Sequence, residues 1–187
     1  MYKFKIQEKE INYKVVYREV KYPRLEFKTG DLLLVLPKNF RNIQTLLEKH
    51  KSWIYKKHIQ ISSALKDGRR KKLILNRDTD SFKEYVYNRL NEYFRELNLS
   101  IGKVFFRSMK TKWASCSLQG NITVNLLLKY LPAELIDYVL FHEVAHLRER
   151  KHNKNFWNFV KKKFNDYPER EKDLMIYWFL IQKNQKY

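Results

Sequence analysis

One cysteine, four glycines and four prolines are all that 187 residues contain of these three types. With Cys116 alone, no disulfide can form within the chain, and such cysteine usage suits a reducing compartment. So few glycines and prolines leave little material for long flexible linkers. Acidic residues are scarce too: 20 Asp and Glu stand against 39 Lys and Arg, a formal net charge of +19. Long apolar runs are absent. The longest, Leu174 to Ile181 (LMIYWFLI), is far too short to span a bilayer. The opening stretch MYKFKIQEKEINYK lacks the apolar core and small-residue cleavage site of a secretory signal. These absences predict a soluble, cytoplasmic protein with no membrane partner.

What is present predicts a packed domain. The chain is 44% hydrophobic and 16% aromatic, which is not the composition of a disordered segment, and it is long enough to bury a core without staples. A charge of +19 attracts nucleic acid or acidic surfaces. Yet the lysines are spread along the whole chain, and a Lys/Glu/Ile/Tyr-rich composition also arises from thermal adaptation. Two denser basic clusters stand out, Lys66 to Lys72 (KDGRRKK) and Lys161 to Lys163. The first contains Asp67-Gly68 and reads as a solvated loop.

Periodicity gives the elements. Ile11 to Tyr17, Arg24 to Lys28 and Leu32 to Leu36 read as strands, the last two as a hairpin with its turn at Gly30-Asp31. Ile43 to Leu65 carries an amphipathic helical pattern. Thr79 to Leu97 carries a second, with Asp78 or Thr79 as its cap. Lys103 to Met109 and Asn121 to Asn125 read as strands, with a turn at Leu118-Gln119-Gly120. Pro132 opens a helix expected to run to about Arg150, followed by helices over 155–164 and 169–183. Strands, helices, two strands and helices again make an α+β protein. The expected division is an N-terminal hairpin and helix, residues 1–66, and a second region, residues 73–187, packed as one compact unit.

Three of the five histidines fall within the segment FHEVAHLRERKH. On a helix at about 100° per residue, His142 and His146 lie about 40° apart, one turn from each other, on the apolar stripe begun by Leu135 and Val139. Glu143 sits at a neighbouring angle, within reach of a water held there. His152 cannot join them while the helix continues, since it would lie roughly 9 Å further along the axis than His146. The chain must therefore end its helix near Arg150 and turn back. Three histidines leave a fourth coordination position open, as catalytic zinc sites do, whereas structural sites close with four ligands and favour cysteine. The expected cofactor is one Zn2+ per chain on His142, His146 and His152, with Glu143 as general base. The HExxHxxxxxH spacing equals that of metzincins, but their glycine position is Glu149 here and no Met-turn follows. Arg150 or Lys151 is the expected bend.

Arg107, Lys112 to Ser117 (KWASCS), Gly120 to Asn125 (GNITVN), Leu131-Pro132, Asp137-Tyr138-Val139, His142 to Leu147 (HEVAHL), His152 and Phe156-Trp157 together resemble the YgjP-like metallopeptidases, relatives of the SprT-like and WLM zinc peptidases. The resemblance is dense over about residues 103–160. Departures are Ala114 for the usual glycine, Val144 for the usual leucine, and Asn153 following the third histidine. None removes a ligand or the base. The resemblance implies a zincin-like core, a small mixed sheet on the active-site helix, and an edge strand at Asn121, Ile122, Thr123, Val124 and Asn125 to which an extended substrate peptide adds. Trp113 and Cys116 either shape the pocket or pack the sheet against the helix. Tyr130, Tyr138 and Tyr167 are all candidate oxyanion donors, undistinguished by sequence.

The expected function is zinc-dependent hydrolysis of peptide or protein substrates, including proteins associated with DNA through the basic surface. The rival reading is a nucleic-acid-binding protein in which zinc has only a structural role.

Overall fold

Alternation of apolar residues builds the first sheet. The computed structural model describes residues 1–28, 31–68 and 71–184. The turn expected at Gly30 and the Arg69-Arg70 part of the basic loop lie outside the described residues. The chain divides into two units, Met1–Lys71 with Met175–Tyr187, and Lys72–Leu174.

In the first unit, β1 (Tyr2–Ile6), β2 (Lys9–Arg18), β3 (Arg24–Lys28) and β4 (Asp31–Pro37) form a sheet in the order β1-β2-β4-β3. β1 pairs antiparallel with β2, β3 antiparallel with β4, and β2 parallel with β4. Strand side chains alternate between faces. One face therefore collects Phe4, Ile6, Ile11, Leu32, Leu34 and Leu36, which are buried with Leu47 and Ile54 of the helices. The single helix expected over 43–65 is two, α1 (Ile43–Lys49) and α2 (Lys51–Asp67), because His50 departs to φ −104°, ψ 11°. Gly68 ends α2 where a Cβ would stand 2.9 Å from Ile176 Cγ2, so a larger residue there would require that side chain to shift.

In the second unit, α3 (Thr79–Glu96) starts where Asp78 Oδ2 accepts the backbone N–H groups of Asp80 and Ser81, both at 2.9 Å. Phe82, Val86, Leu90, Tyr93 and Phe94 form its buried stripe. β5 (Val104–Arg107), β6 (Ala114–Cys116) and β7 (Ile122–Asn125) make a mixed sheet in the order β5-β7-β6, parallel between β5 and β7 and antiparallel between β6 and β7. Gly120 at φ +73° turns the chain between β6 and β7. After a 3₁₀ turn (Leu126–Tyr130) come α4 (Ala133–Ala145), α5 (Lys154–Lys163) and α6 (Tyr167–Asn184), whose residues from Met175 onward belong to the first unit. Among the described residues no helix is long and apolar enough to cross a membrane.

The sheet order corrects one expectation. Asn121–Asn125 is not an edge: β7 is hydrogen-bonded on both sides, so no peptide can add to it. Asn125 is instead a structural clamp, fully buried. Its Nδ2 donates to the carbonyls of Met109 (2.8 Å) and Lys112 (2.7 Å), and its Oδ1 accepts from the backbone N–H groups of Met109 and Leu127. That holds the loop leading into β6. β6 is the edge strand beside α4, against which it packs.

α4 is buried on nearly every side by Leu135, Ile136, Tyr138, Val139, Leu140, Phe141, Val144 and Ala145. Asp137, which reads as part of a polar strip, turns toward α3, where its Oδ1 accepts from Tyr85 Oη at 2.7 Å and Arg89 Nε at 2.9 Å. Replacing Asn125 by alanine leaves four backbone groups without their partner in a buried place. The expected loss is about 2–4 kcal/mol of stability, read by denaturant unfolding. A loss below about 1 kcal/mol would show that the loop holds without the clamp.

Candidate metal centre

The site forms because α4 ends early. The helix stops at Ala145, five residues before Arg150, and His146 is its cap. The N–H groups of His146, Leu147 and Arg148 bond to the carbonyls of Glu143, Val144 and Ala145, a tightened last turn of i→i−3 bonds. The chain bends at Arg150 and Lys151, as expected, and Glu149 holds the reversal. Its carbonyl faces His146 Nδ1 at 3.1 Å, and its carboxylate accepts the Lys151 N–H at 3.2 Å. Asn153 caps α5 by accepting the Phe156 N–H at 3.0 Å. The asparagine that follows His152 thus fixes the start of the returning helix.

These local bonds bring the three histidines together. One ligand atom from each of His142, His146 and His152 lies within 4.8 Å of the others. His142 Nε2 stands 2.9 Å from His152 Nε2. Ring centroids are 5.1 Å apart for His142–His146, 4.9 Å for His142–His152 and 4.7 Å for His146–His152. Fully buried Phe156 touches all three rings, at 4.9, 4.6 and 4.7 Å. Trp157 stacks on His152 at 5.4 Å and on Tyr167 at 4.8 Å.

Burial sets the charge states. It pushes His142 down to about 3, helped by the two neighbouring histidines, and lowers His146 as well. Both imidazoles are neutral at pH 7 and offer lone pairs. Burial pushes the Glu143 carboxyl up to about 7, opposed by the Lys112 ammonium and by the backbone N–H of Cys116. The Cys116 thiol is raised to about 11 by burial and by Glu143, the reverse of an activated thiolate. It donates to the Ser117 carbonyl. Cys116 is not a member of the metal-competent cluster found among the described residues. Three clustered imidazoles, two of them held neutral by burial, suit zinc with an open position.

The sequence's tyrosine candidates separate. Tyr138 is buried and its hydroxyl donates to Glu171 Oε1 at 2.6 Å. Tyr167 stacks on Trp157, the ring that also stacks on His152. Tyr130 sits in the 3₁₀ turn before α4, at the helix end remote from the histidines. Three participants escape sequence reasoning. Phe156 and Lys112 fall in segments that carry the family resemblance but have no role assigned by it at the site, and Glu171 lies 29 positions from His142 with no motif around it.

The family model described as YgjP-like, metallopeptidase domain, matches residues 59–177. No curated protein matches the chain. Among solved structures, the metallopeptidase zymogen abylysin of Pyrococcus abyssi is 31% identical, with 48% of this chain and 91% of that chain covered and a TM-score of 0.44. The metallopeptidase zymogen jannalysin of Methanocaldococcus jannaschii is 27% identical, with 52% and 88% covered and a TM-score of 0.42.

The Glu143 shift has a consequence for stability. Its folded value of about 7 lies above the ordinary 4.5, so the folded state holds the proton more tightly. That contribution is present below pH 4.5 and is lost as pH rises through 7. Glu143→Gln is therefore expected to stabilise the metal-free protein by on the order of 2 kcal/mol at pH 8 and by much less at pH 5. Denaturant unfolding at the two pH values checks it. Equal stability of variant and wild type at pH 8 would show that the carboxylate is not desolvated.

Proposed function

Because the chain belongs to the YgjP-like metallopeptidase family, we propose that it hydrolyses peptide bonds with one zinc ion held by His142, His146 and His152 and with Glu143 as general base. One observation carries the reading: three imidazole nitrogens converge within 4.8 Å, and Glu143, the residue next to His142 in the chain, has a desolvated carboxyl. Zinc held there supplies Lewis acidity, lowering the pKa of water and polarising a carbonyl. Glu143, poised near pH 7, takes a proton from the attacking water and returns it to the leaving nitrogen. Lys112 and the Cys116 N–H hold the charge of its ionised form.

The substrate peptide runs along β6 rather than along Asn121–Asn125. Ser117 N–H bonds to Asn121 O and Asn125 N–H to Trp113 O. In an antiparallel ladder that alternation turns Ala114 and Cys116 away from β7, toward the side where Glu143 sits. An extended peptide on that edge passes directly beside the base.

Glu143→Gln is expected to keep one zinc per chain and to lose about 10²–10⁴-fold in turnover of a denatured protein substrate. His152→Ala is expected to lose the metal. Unchanged turnover in the first removes Glu143 from the mechanism, and full zinc retention in the second sinks the three-histidine site.

The net charge of +19 extends the reading to protein substrates bound to DNA. Duplex DNA is expected to bind with the logarithm of the association constant falling linearly against the logarithm of salt, equally in wild type and Glu143→Gln. Binding that ignores salt removes DNA from the proposal. DNA binding with no proteolysis under any condition favours the rival, a nucleic-acid-binding protein with structural zinc.

A further inference from the structure

We propose that Glu171 is a positioning residue for the metal centre: its carboxylate accepts the Nδ1–H of His142 and fixes that ring in the tautomer that turns Nε2 toward His146 and His152. The inference rests on the three-histidine reading and adds to it a group that lies outside the HExxH segment.

The starting observation is an orphan. His142 Nδ1 is buried and has no hydrogen-bond partner. A buried polar atom without a partner is uncommon and calls for an explanation. The other ring nitrogen has one, since Nε2 lies 2.9 Å from His152 Nε2. The two sides of the ring are thus distinct, one facing the histidine cluster and the other facing away.

On the far side stands one acid. Glu171 Oε1 is 3.7 Å from His142 Nδ1, just beyond hydrogen-bond length. That same oxygen is held by the Tyr138 hydroxyl at 2.6 Å. Tyr138 is one turn before His142 on α4, with its ring edge toward the imidazole at a centroid distance of 5.9 Å. A carboxylate oxygen has two lone pairs, so accepting from Tyr138 leaves one for His142. A small rotation of the imidazole closes the remaining gap. Glu171 is itself anchored. The preceding residue, Arg170, donates to the Glu134 carbonyl of α4 at 2.6 Å and pairs with Asp166 at 2.8 Å, which fastens the first turns of α6 to α4.

His146 supports the reading by its own arrangement. Its Nδ1 faces the Glu149 carbonyl at 3.1 Å, leaving Nε2 for the cluster. Each helix histidine therefore has an acceptor on its Nδ1 side, a carbonyl for one and a carboxylate for the other. Acceptors so placed fix ligand orientation and raise ligand basicity, and their loss weakens metal binding by about 10–100-fold.

The test uses the full chain and zinc alone, titrated in competition with a chromophoric chelator. Glu171→Ala is expected to bind zinc at least about tenfold more weakly than wild type and, because it also leaves the buried Tyr138 hydroxyl unpaired, to melt lower without metal. Tyr138→Phe, which removes that same hydrogen bond and keeps the carboxylate, is expected to retain wild-type zinc affinity. Glu171→Gln keeps an acceptor oxygen without the charge, and its affinity is expected to fall between those of wild type and Glu171→Ala. A change smaller than tenfold in Glu171→Ala overturns the proposal. So does an equal fall in zinc affinity in Tyr138→Phe, which would trace the effect to the lost Tyr138 hydrogen bond and make Glu171 a structural residue. A wild type that binds no zinc removes the three-histidine reading and this proposal together, whereas a zinc-binding wild type equalled by Glu171→Ala removes this proposal alone.

Discussion

Three imidazole rings resting on one phenyl ring impose the geometry of the second unit. Phe156 contacts His142, His146 and His152 at once, which is only feasible if the chain leaves α4 and returns within a few residues. A continuing helix would carry residue 152 away from the other two. The tightened turn at 146–148, the Glu149 contacts and the Asn153 cap are the local bonds that achieve the reversal. Each works between residues no more than four apart, so the return path is specified locally and does not depend on distant packing. Phe156 then converts a local reversal into a fixed metal-competent cluster.

Around that cluster the polar groups are few and paired. α4 is apolar almost all round, so its exceptions must find partners inside the protein. Asp137 finds Tyr85 and Arg89 of α3, and Tyr138 finds Glu171. Asn125, the one fully buried polar residue among those described, spends its side chain on the loop before β6. The effect of these pairings is positional. They fix α4 against α3, and they fix β6 against β7, so the Cys116 N–H meets Glu143. Strand register and base position are one constraint, since a one-residue slip of β6 would turn that N–H away.

How far the sequence foretold this depends on the range of the interaction. The cap of α3 at Asp78 and its stripe of Phe82, Val86 and Leu90 are local signals, and the element appears within a residue of its expected bounds. The HExxH offset is local too, as is the need for a reversal before His152. The α+β character follows from the same periodicities. β6 was illegible because Ala114-Ser115-Cys116 is three residues with no alternation, and without β6 the pairing of β7 looked one-sided. The edge role of Asn121–Asn125 was what the family resemblance implied, and nothing in the residues around it pointed to the partner on its other side. β1 carries Tyr2, Phe4 and Ile6 in alternation but is short and charged, so its pairing with β2 had to be seen to be known. The break at His50 interrupts an unbroken apolar pattern, and no glycine or proline marks it. Glu171 belongs to α6, and only tertiary packing sets it opposite His142.

A single physical cause sets both protonation states that the proposed chemistry requires. Removing a group from water disfavours its charged form, so the same burial drives a histidine down and a carboxylic acid up. Here it sends His142 to about 3 and Glu143 to about 7. The first shift keeps a ligand nitrogen unprotonated at pH 7. The second brings a group that is a feeble base in water to the pKa at which proton transfer in both directions is efficient. Lys112 and the Cys116 N–H limit that rise, since a carboxyl held much higher would stay protonated and could not accept a proton at neutral pH. The cost falls on the folded state, which must bury an ionisable acid and leave one ring nitrogen of His142 without a bond. Metal binding to the folded state alone would offset that cost, because any such ligand shifts the equilibrium toward the fold that holds it. On this argument the features that destabilise the metal-free chain are the ones that prepare it for its metal.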